Sequence, residues 1–199
     1  MRIFTFLIFV FIIFCSIACR KNTQTFTDSR DQTAYTYRTF GNLDWMLQNL
    51  AFETDSSWCF QNDPEKCKIY GRLYTWYDAM QVCPQGWRLP TQQEWMDLAQ
   101  LIAQEEWYKK DGGENRLYHR FEPGGPSGLD LQLAGMYDPV FDHFFPVEEI
   151  GSYWSSTKFA YHAAVCAVMD KKNGEIFMMN PGTRGVGHSC RCVRLHQEN

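Results

Sequence analysis

The chain has 199 residues, of which 45% are hydrophobic and 21% are charged, and its formal net charge at pH 7 is −4. This length is enough for one domain with a sizeable apolar core, and the interior contains no repeat or low-complexity segment that would indicate a second one. The acidic balance argues against nucleic acid as a partner, because binding nucleic acid normally requires a basic face.

The first 18 residues have the pattern of a secretory signal peptide. One basic residue, Arg2, precedes an apolar run, and small residues follow up to Cys19. A membrane-spanning helix is the alternative, but it needs roughly 20 apolar residues, and this chain turns polar at residues 20–22. Residues 16–19 (SIAC) resemble a bacterial lipobox, although Ser16 stands where an aliphatic residue is usual. We therefore expect a lipoprotein signal over residues 1–18 and lipidation of Cys19.

Residues 19–35 are polar and poor in large aliphatic side chains, which predicts a tether, followed by one domain over residues 36–199. Acyl chains on Cys19 would anchor the protein to a membrane. The expected location is the bacterial cell envelope, with the protein anchored by lipid in the outer membrane.

The cysteine count predicts disulfides. Of eight cysteines, Cys15 leaves with the signal peptide and Cys19 is the expected lipidation site. The six that remain are Cys59, Cys67, Cys83, Cys166, Cys190 and Cys192. An even number in an exported domain is typical of a full disulfide set, but six cysteines allow many pairings. The residues alone favour one local pair, Cys59–Cys67, because the intervening FQNDPEK is made of turn-forming residues that cannot hold a loop by apolar contacts.

The first elements of the domain are predicted to be a β-hairpin and a helix. Residues 36–47 (TYRTFGNLDWML) favour two short strands with the bend at Gly41-Asn42, since both residues tolerate the positive φ of a tight turn. Residues 70–81 (YGRLYTWYDAMQ) carry an apolar stripe at helical spacing, which predicts a core-facing surface. The stripe consists of Leu73, Trp76, Tyr77 and Met80. A sugar-stacking role for its aromatic residues is the less favoured alternative.

A second helix is predicted to begin at Thr91. Pro84 ends the first helix because proline cannot continue it, so Cys83 lies at the end of that helix. Thr91 and Glu94 have the spacing of a capping box. Apolar residues then continue at helical spacing, namely Trp95, Leu98, Ala99 and Ile102.

The C-terminal half predicts strands joined by Gly- and Pro-rich loops. Leu129, Leu131 and Leu133 alternate with other residues, and GSYWSST reads as a further strand. AAVCAVMD and EIFMMN flank an Asn-Gly turn at residues 173–174, which predicts a hairpin. SCRCVRL reads as the closing strand, in which the two cysteines would share one face.

These segments together resemble the Fibrobacter succinogenes major paralogous (FISUMP) domain over about residues 36–195. The motifs that carry the resemblance, in order, are WMLQNL, CFQNDPEKC, YGRLYTWYDAM, CPQGWRLPTQQEW, YWSST and RCVR. More distantly, the chain looks like the superfamily of formylglycine-generating enzymes and C-type lectins. The resemblance implies an α+β domain with two helices, a twisted antiparallel sheet and long loops, stapled by disulfides.

The resemblance also implies a bridge between the cysteine that follows the first helix and the last strand, which here is Cys83–Cys192. Closing so long a loop restricts the unfolded chain by about 4–5 kcal/mol. Cys166–Cys190 would then be the remaining pair, and a swap to Cys83–Cys190 stays open.

Few residues stand out as chemical groups. The histidines show no metal-binding spacing, and the acidic segment YDPVFDHFFPVEE is better explained by a solvated loop than by a calcium site. Lectin calcium signatures, Walker loops and dinucleotide fingerprints do not occur. We therefore expect no catalytic residue, cofactor or metal. The candidate ligand contacts lie in or beside the Gly-rich loops and are Tyr153, Trp154, Arg184 and His188. For Trp154 a core position is the favoured alternative.

Two functions follow from these patterns. The preferred one is a lipid-anchored envelope module, binding or structural, with a glycan or cell-surface protein as partner and no enzymatic activity. The alternative is a thiol- and copper-dependent oxidase like the formylglycine-generating enzymes, since thiolates suit copper(I) and Cys190 and Cys192 are close in sequence. The chain does not match that family's active cysteine pair, and disulfides account for all six cysteines. The residues do not indicate an oligomeric state.

Overall fold

The computed structural model describes residues 23–103 and 117–197. The predicted signal peptide (residues 1–18) and the predicted lipidation site Cys19 lie outside the described residues. Within the part of the chain that is described, no helix combines the length and the apolar character needed to cross a membrane.

The described residues form short helices and mostly antiparallel strands, which confirms the predicted α+β class. The helices are α1 (Pro64–Tyr70), α2 (Trp76–Val82), α3 (Gln92–Ala103) and α4 (Tyr118–Phe121), with a 3₁₀ turn at Phe60–Asn62. The strands are β1 (Gln24–Thr27), β2 (Ala34–Phe40), β3 (Leu43–Met46), β4 (Ser57–Trp58), β5 (Leu73–Tyr74), β6 (Met136–Asp138), β7 (His143–Phe145), β8 (Ile150–Ala160), β9 (Ala163–Asp170), β10 (Glu175–Thr183), β11 (His188–Ser189) and β12 (Val193–Leu195).

Two sheets form the body of the fold. The first has the strand order β1-β2-β3-β12 and the second β10-β9-β8-β11-β5-β4, while β6 and β7 form a separate hairpin. Most neighbours are antiparallel, but β11 runs parallel to β8, where Ser189 lies opposite Tyr153. Because β12 pairs with β3, the closing strand lies in the same sheet as the first strands of the domain.

The predicted tether, residues 19–35, is partly folded, which corrects the domain boundary. β1 pairs with β2 from Gln24 opposite Tyr37 to Thr27 opposite Ala34. Phe26 supplies the apolar contact, since its ring stacks on Trp87 with 4.7 Å between centroids. Apart from Phe26 and Tyr35 the segment is largely polar, so its composition concealed the two stacked aromatic rings that fix it. The folded unit begins near residue 24, not at residue 36.

The predicted hairpin at residues 36–47 is confirmed as β2 and β3, with Gly41 at a φ of 61° in the turn. The loop between Cys59 and Cys67, in contrast, contains the first turn of a helix that its turn-forming residues concealed. Asp63 caps α1 by accepting a hydrogen bond from Glu65 N at 2.9 Å, and Pro64 occupies the first helical position. Both residues favour helix starts. The predicted disulfide Cys59–Cys67 is present.

The predicted stripe on α2 is wrong in its details. The helix begins only after Thr75, whose side chain accepts a hydrogen bond from Asp78 N at 3.4 Å, so Leu73 belongs to β5. The buried face consists of Trp76, Ala79 and Val82. Tyr77 and Met80, predicted to face the core, are 54% and 45% exposed.

α3 forms as predicted. Thr91 and Glu94 make the capping box, with Thr91 N donating to Glu94 Oε2 at 2.7 Å and Glu94 N donating to Thr91 Oγ1 at 3.1 Å. Trp95 is fully buried, and its ring lies 4.8 Å from Trp45 and 5.6 Å from Tyr153. The helix therefore joins the two sheets through one aromatic cluster.

The strand predictions for the C-terminal half hold with two changes. Leu129, Leu131 and Leu133 are buried, but their segment is not a strand, and Asp130 within it has a φ of 53°. The closing strand is divided into β11 and β12 by residues 190–192. We call residues 188–193 the closing segment, and every one of them is buried.

The closing segment is fixed by a disulfide and by one buried arginine. Cys192 is bonded to Cys83, as the resemblance implied. The Arg191 guanidinium donates to the carbonyl oxygens of Met46 (3.1 Å), Leu129 (3.0 Å) and Asp130 (2.9 Å), and to Asn49 Oδ1 at 2.8 Å. Burial lowers the pKa of Arg191. A single side chain thus links the closing segment to three other parts of the chain.

The predicted third disulfide is wrong, because Cys166 and Cys190 are both free, buried thiols. Cys166 lies on β9 opposite Trp154 of β8, whereas Cys190 follows β11, on the other side of β8. Strands two places apart are separated by about 9–10 Å, beyond the Cα separation of about 4.4–6.8 Å that a disulfide spans. With Cys83 bonded to Cys192, the open alternative Cys83–Cys190 is not formed either.

Candidate functional site

Two clefts flank the last turn of α1, and together we call them the groove. Cleft A has a volume of about 380 Å³ and is lined by Thr33, Ala34, Tyr35, Gln48, Asn49, Ala51, Cys67, Lys68, Ile69, Gly71 and Gln132. Cleft B has a volume of about 320 Å³ and is lined by Ile69, Tyr70, Tyr118, Glu122, Pro123, Gln132, Leu133, Glu148 and Lys171. Ile69 and Gln132 belong to both clefts, so the clefts meet at these two residues.

Gly71 positions the helix that separates the clefts. It follows α1 with a φ of 72°, a conformation that residues with side chains rarely adopt. A Cβ at this position would lie 2.6 Å from Asn49 Cβ and 2.7 Å from the Leu50 carbonyl oxygen. Only glycine therefore lets the end of α1 approach the residues 49–50, which brings Ile69 to the middle of the groove.

Asn49 forms the floor of cleft A. Its Nδ2 donates to the Tyr70 carbonyl oxygen at 2.9 Å and to Ser189 Oγ at 3.3 Å. Its Oδ1 accepts the hydrogen bond from Arg191 described above. The floor of the groove is thus continuous with the closing segment, which makes the groove a preformed feature of the core.

The lining of cleft A is polar but contains no carboxylate. Gln48 is exposed and makes two hydrogen bonds with Thr36. Its Oε1 accepts from Thr36 N at 2.8 Å, and its Nε2 donates to Thr36 Oγ1 at 2.6 Å. The ammonium of Lys68 lies 2.6 Å from Glu65 on the helix surface. Beside these groups Ile69 is 57% exposed. The cleft therefore presents amides and hydroxyls next to an apolar ridge.

Cleft B carries phenols and carboxylates. Tyr70 donates through its hydroxyl to Glu148 Oε1 at 3.3 Å, and burial together with this carboxylate raises the pKa of Tyr70. Burial, with a contribution from Glu122, raises the pKa of Tyr118 to about 12. Both phenols stay protonated at neutral pH, but the one hydroxyl proton of Tyr70 is donated to Glu148, and Tyr118 is only 3% exposed. Glu148 has a φ of 65°, a strained conformation of the kind that clusters at binding sites.

Gln132 stands where the two clefts meet. Tyr153 fixes its backbone by donating a hydrogen bond from the buried phenol to the Gln132 carbonyl oxygen. The side-chain amide is half-buried and makes no hydrogen bond with any residue that the structure describes. An amide with two donors and an acceptor unused, held in the centre of a concave surface, is suited to a ligand rich in hydroxyl groups.

The four contact residues predicted from sequence do not lie in this groove. Tyr153, Trp154 and His188 are buried, so a ligand at the surface cannot reach their side chains in this structure. Tyr153 acts from beneath the groove through Gln132, and Trp154 donates through Nε1 to the Tyr74 carbonyl oxygen at 2.7 Å. Arg184 is partly exposed and stacks on Trp76 at 4.5 Å from the ring centroid.

The free thiols and His188 form no reactive pair. A Cβ at Gly182 would lie 2.5 Å from Cys166 Sγ and 3.2 Å from His188 Nε2, so both groups pack under this glycine of β10. Burial raises the pKa of Cys166 to about 12 and lowers the pKa of His188 to about 3. Burial also raises the pKa of Cys190 well above its usual value. The nucleophilic form of cysteine is the thiolate, and neither thiol forms it at neutral pH.

The acidic loop of YDPVFDHFFPVEE uses its carboxylates internally. Asp138 Oδ1 accepts from Val140 N at 2.9 Å, and Asp142 Oδ1 accepts from the Tyr137 hydroxyl at 3.0 Å. Within residues 23–103 and 117–197, no three side chains of His, Cys, Asp or Glu are placed together to hold a metal ion.

Sequence reasoning missed the groove because its lining comes from separate parts of the chain. Residues 33–35, 48–51, 67–71 and 132 meet only after folding. One local signal was available, since Asp63-Pro64 is a favoured helix start, and recognising α1 would have placed Ile69 and Tyr70 on a helix next to a disulfide.

Comparison with known proteins gives one match, at the level of the family. No curated protein and no solved structure matches the chain. The family model for the Fibrobacter succinogenes major domain matches residues 34–194, which includes both disulfides and every residue of the groove apart from Thr33. The chain therefore belongs to the Fibrobacter succinogenes major domain family.

Proposed function

We propose that this protein is a lipid-anchored module of the bacterial cell envelope, held in the outer membrane through Cys19, that binds a glycan in the groove. The observation that carries the glycan proposal is Gln132, an unpaired, half-buried amide at the junction of two clefts. Sugar hydroxyls both donate and accept hydrogen bonds, and amide side chains match this in both directions.

The shape and lining of the groove favour a glycan over a protein partner. The clefts are concave and of the size that small ligands occupy, whereas a stable protein interface covers about 800 Å² on each partner. The exposed side chain of Ile69 offers an apolar surface for the C–H face of a sugar ring. The carboxylates of Glu122 and Glu148 add hydrogen-bond acceptors for sugar hydroxyls in cleft B.

We also propose the finer fold assignment, a C-type lectin-like domain related to the formylglycine-generating enzymes. Two features support it. The bridge Cys83–Cys192 joins the end of α2 to the closing segment, and β12 pairs with β3 near the start of the domain. Burial of both free thiols favours the binding function over the thiol-dependent oxidase, because an oxidase of that kind needs an accessible thiolate.

The test is a glycan array followed by calorimetry on the mature chain with Cys19→Ala. We expect the array to identify a neutral glycan, and we expect Gln132→Ala to weaken its binding about tenfold, since losing hydrogen bonds to an uncharged ligand costs about 1–2 kcal/mol. Gln81→Ala is the matched control, because Gln81 is an exposed glutamine on α2, outside both clefts. Failure to bind any glycan, or equal binding by the Gln132→Ala and Gln81→Ala proteins, would refute the proposal.

A further inference from the structure

The turn that joins β8 and β9 exposes two aromatic rings, and we call residues 158–163 the tip. Phe159 is 64% exposed and Tyr161 is 84% exposed, among the highest values of any large apolar side chain in the described residues. Lys158 and His162 are exposed beside them. The Tyr161 ring lies against His162, with 4.4 Å between the ring centroids, and large exposed apolar groups that cluster mark an interaction surface.

The backbone of the tip is held in place by Arg184. Arg184 Nη2 donates to the Ala160 carbonyl oxygen at 2.8 Å, and its Nε donates to the Ala163 carbonyl oxygen at 3.3 Å. The backbone N of Arg184 donates to the His162 carbonyl oxygen at 3.0 Å. The guanidinium itself stacks on the buried ring of Trp76. Arg184, predicted as a ligand contact, thus organises the tip.

The charge of the tip is opposite to that of the protein as a whole. Residues 150–169 contain no aspartate or glutamate, although the chain has a net charge of −4. Lys158 lies in this stretch, and Arg184 lies against it. The surface therefore combines exposed aromatic rings with positive charge, the combination that binds the interface of an anionic membrane.

A chain of contacts joins the start of the domain to the base of the tip. Phe26 of β1 stacks on Trp87. A few residues on, the Pro90 carbonyl oxygen accepts a hydrogen bond from Ser156 N at 2.8 Å, and Gln92 N donates to Thr157 Oγ1 at 3.0 Å. The segment from residue 87 to 92 therefore connects β1 to the part of β8 that leads into the tip.

The distance from the expected anchor to the fold is short. Gln24, the first residue of β1, lies five positions after Cys19, which even a fully extended chain spans in at most about 18 Å. A lipid on Cys19 would hold β1 close to the bilayer, and residues 87–92 connect β1 to the strand that leads into the tip.

We propose that the tip contacts the anionic lipid surface of the membrane to which the protein is anchored, with Phe159 and Tyr161 at the headgroup level and Lys158 near the phosphates. This inference rests on the lipid anchor of the proposed function and not on glycan binding. It gives the anchored domain a fixed orientation, with one flank on the bilayer.

The experiment uses the lipidated, full-length mature protein with Phe159→Cys, and a fluorophore is attached to the new cysteine on the tip. The native thiols Cys166 and Cys190 are buried, so the folded protein is labelled at position 159. The protein is reconstituted in phosphatidylcholine vesicles that contain phosphatidylglycerol and a lipid-borne quencher. We expect strong quenching at position 159. The matched control is Phe141→Cys, since Phe141 is 78% exposed on the β6–β7 turn. Gly135, just before β6, bridges Gly151 at the start of β8, and Gly151 lies eight residues, about 25 Å along an extended strand, before Phe159.

A second measurement removes the anchor. The Cys19→Ala protein is sedimented with vesicles with and without phosphatidylglycerol, and we expect binding only to the anionic vesicles. Lys158→Ala should weaken that binding about fivefold, and Phe159→Ala with Tyr161→Ala about tenfold, while Phe141→Ala and Gln132→Ala leave it unchanged. Equal quenching at positions 159 and 141, or no loss of vesicle binding in the tip variants, would overturn the proposal. Loss of a protein or glycan ligand from the tip variants, with vesicle binding intact, would also overturn it.

Discussion

The closing segment and α1 are each tied down by a disulfide, but the contacts around the two bridges differ. Every residue of the closing segment is buried, and Arg191 connects it to β3, Asn49 and the leucine-rich segment. In α1 only Tyr70 is buried, and the helix is held by its cap, its bridge and the close approach at Gly71. The fold therefore depends on the first region, while the second lines the groove in which we propose that a glycan binds.

Removing the bridges one at a time gives the largest test of this contrast. We expect Cys83→Ser with Cys192→Ser to lower the free energy of unfolding by about 4–5 kcal/mol, and Cys59→Ser with Cys67→Ser by about 2–3 kcal/mol, since the unfolded chain gains more freedom from the longer loop. Guanidinium unfolding of the oxidised proteins measures both. Equal losses would mean that the local bridge does more than close a short loop.

The closing segment should also make stability depend on pH through His188. Burial lowers its pKa to about 3 in the folded protein, below the value of about 6.5 in the unfolded chain. The unfolded state therefore binds the proton first, so stability is complete above pH 6.5 and falls as the pH drops toward 3.

Between pH 6.5 and 4.5 we expect this residue to lower the free energy of unfolding by about 2–3 kcal/mol. The check is the difference between the wild-type and His188→Gln profiles, since carboxylates that titrate in the same range affect both proteins alike. Parallel profiles would mean that His188 does not carry the effect.

The smallest effect is expected in α1, where Gly71→Ala can be compared with Gly86→Ala. Both glycines have positive φ, 72° and 83°, but a Cβ at Gly86 meets no atom within 4 Å. We expect Gly86→Ala to cost about 1 kcal/mol and Gly71→Ala about 1 kcal/mol more, because α1 must move away from Asn49. Thermal unfolding measures the loss of stability in both variants. Weaker glycan binding by the Gly71→Ala protein, with unchanged binding by the Gly86→Ala protein, would show that α1 shapes the groove.

Local patterns predicted the elements that local chemistry decides. Thr91 with Glu94 gave the start of α3, Gly41-Asn42 gave the β2–β3 turn, and turn-forming residues between Cys59 and Cys67 gave the short bridge. Each needs only neighbours in sequence, so one sequence suffices. The bridge Cys83–Cys192 came instead from the family resemblance, because the residues alone left its pairing open.

The failures share a different cause, which is long-range packing. Residues 24–27 have the composition of a tether, but Phe26 packs on Trp87 and fixes them. Tyr77 has the spacing of a core residue, but Thr75 caps α2 so that Tyr77 faces solvent. The prediction of the third disulfide failed because the strand order places β8 between the two cysteines, and no local pattern indicates that order. The candidate site failed for the same reason, since Gln132 gains its position from Tyr153 and from α1.

The glycine at position 182 has a consequence for kinetics. Cys166 packs directly beneath it, and β10 is the edge strand of its sheet, so a thiol reagent reaches this sulfur whenever the edge strand lifts. Cys190, enclosed in the interior at 0% exposure, opens only when the domain itself comes apart, as the more stable parts of proteins do. The labelling rate of Cys166 therefore reports opening of the edge strand, and the labelling rate of Cys190 reports unfolding of the whole domain.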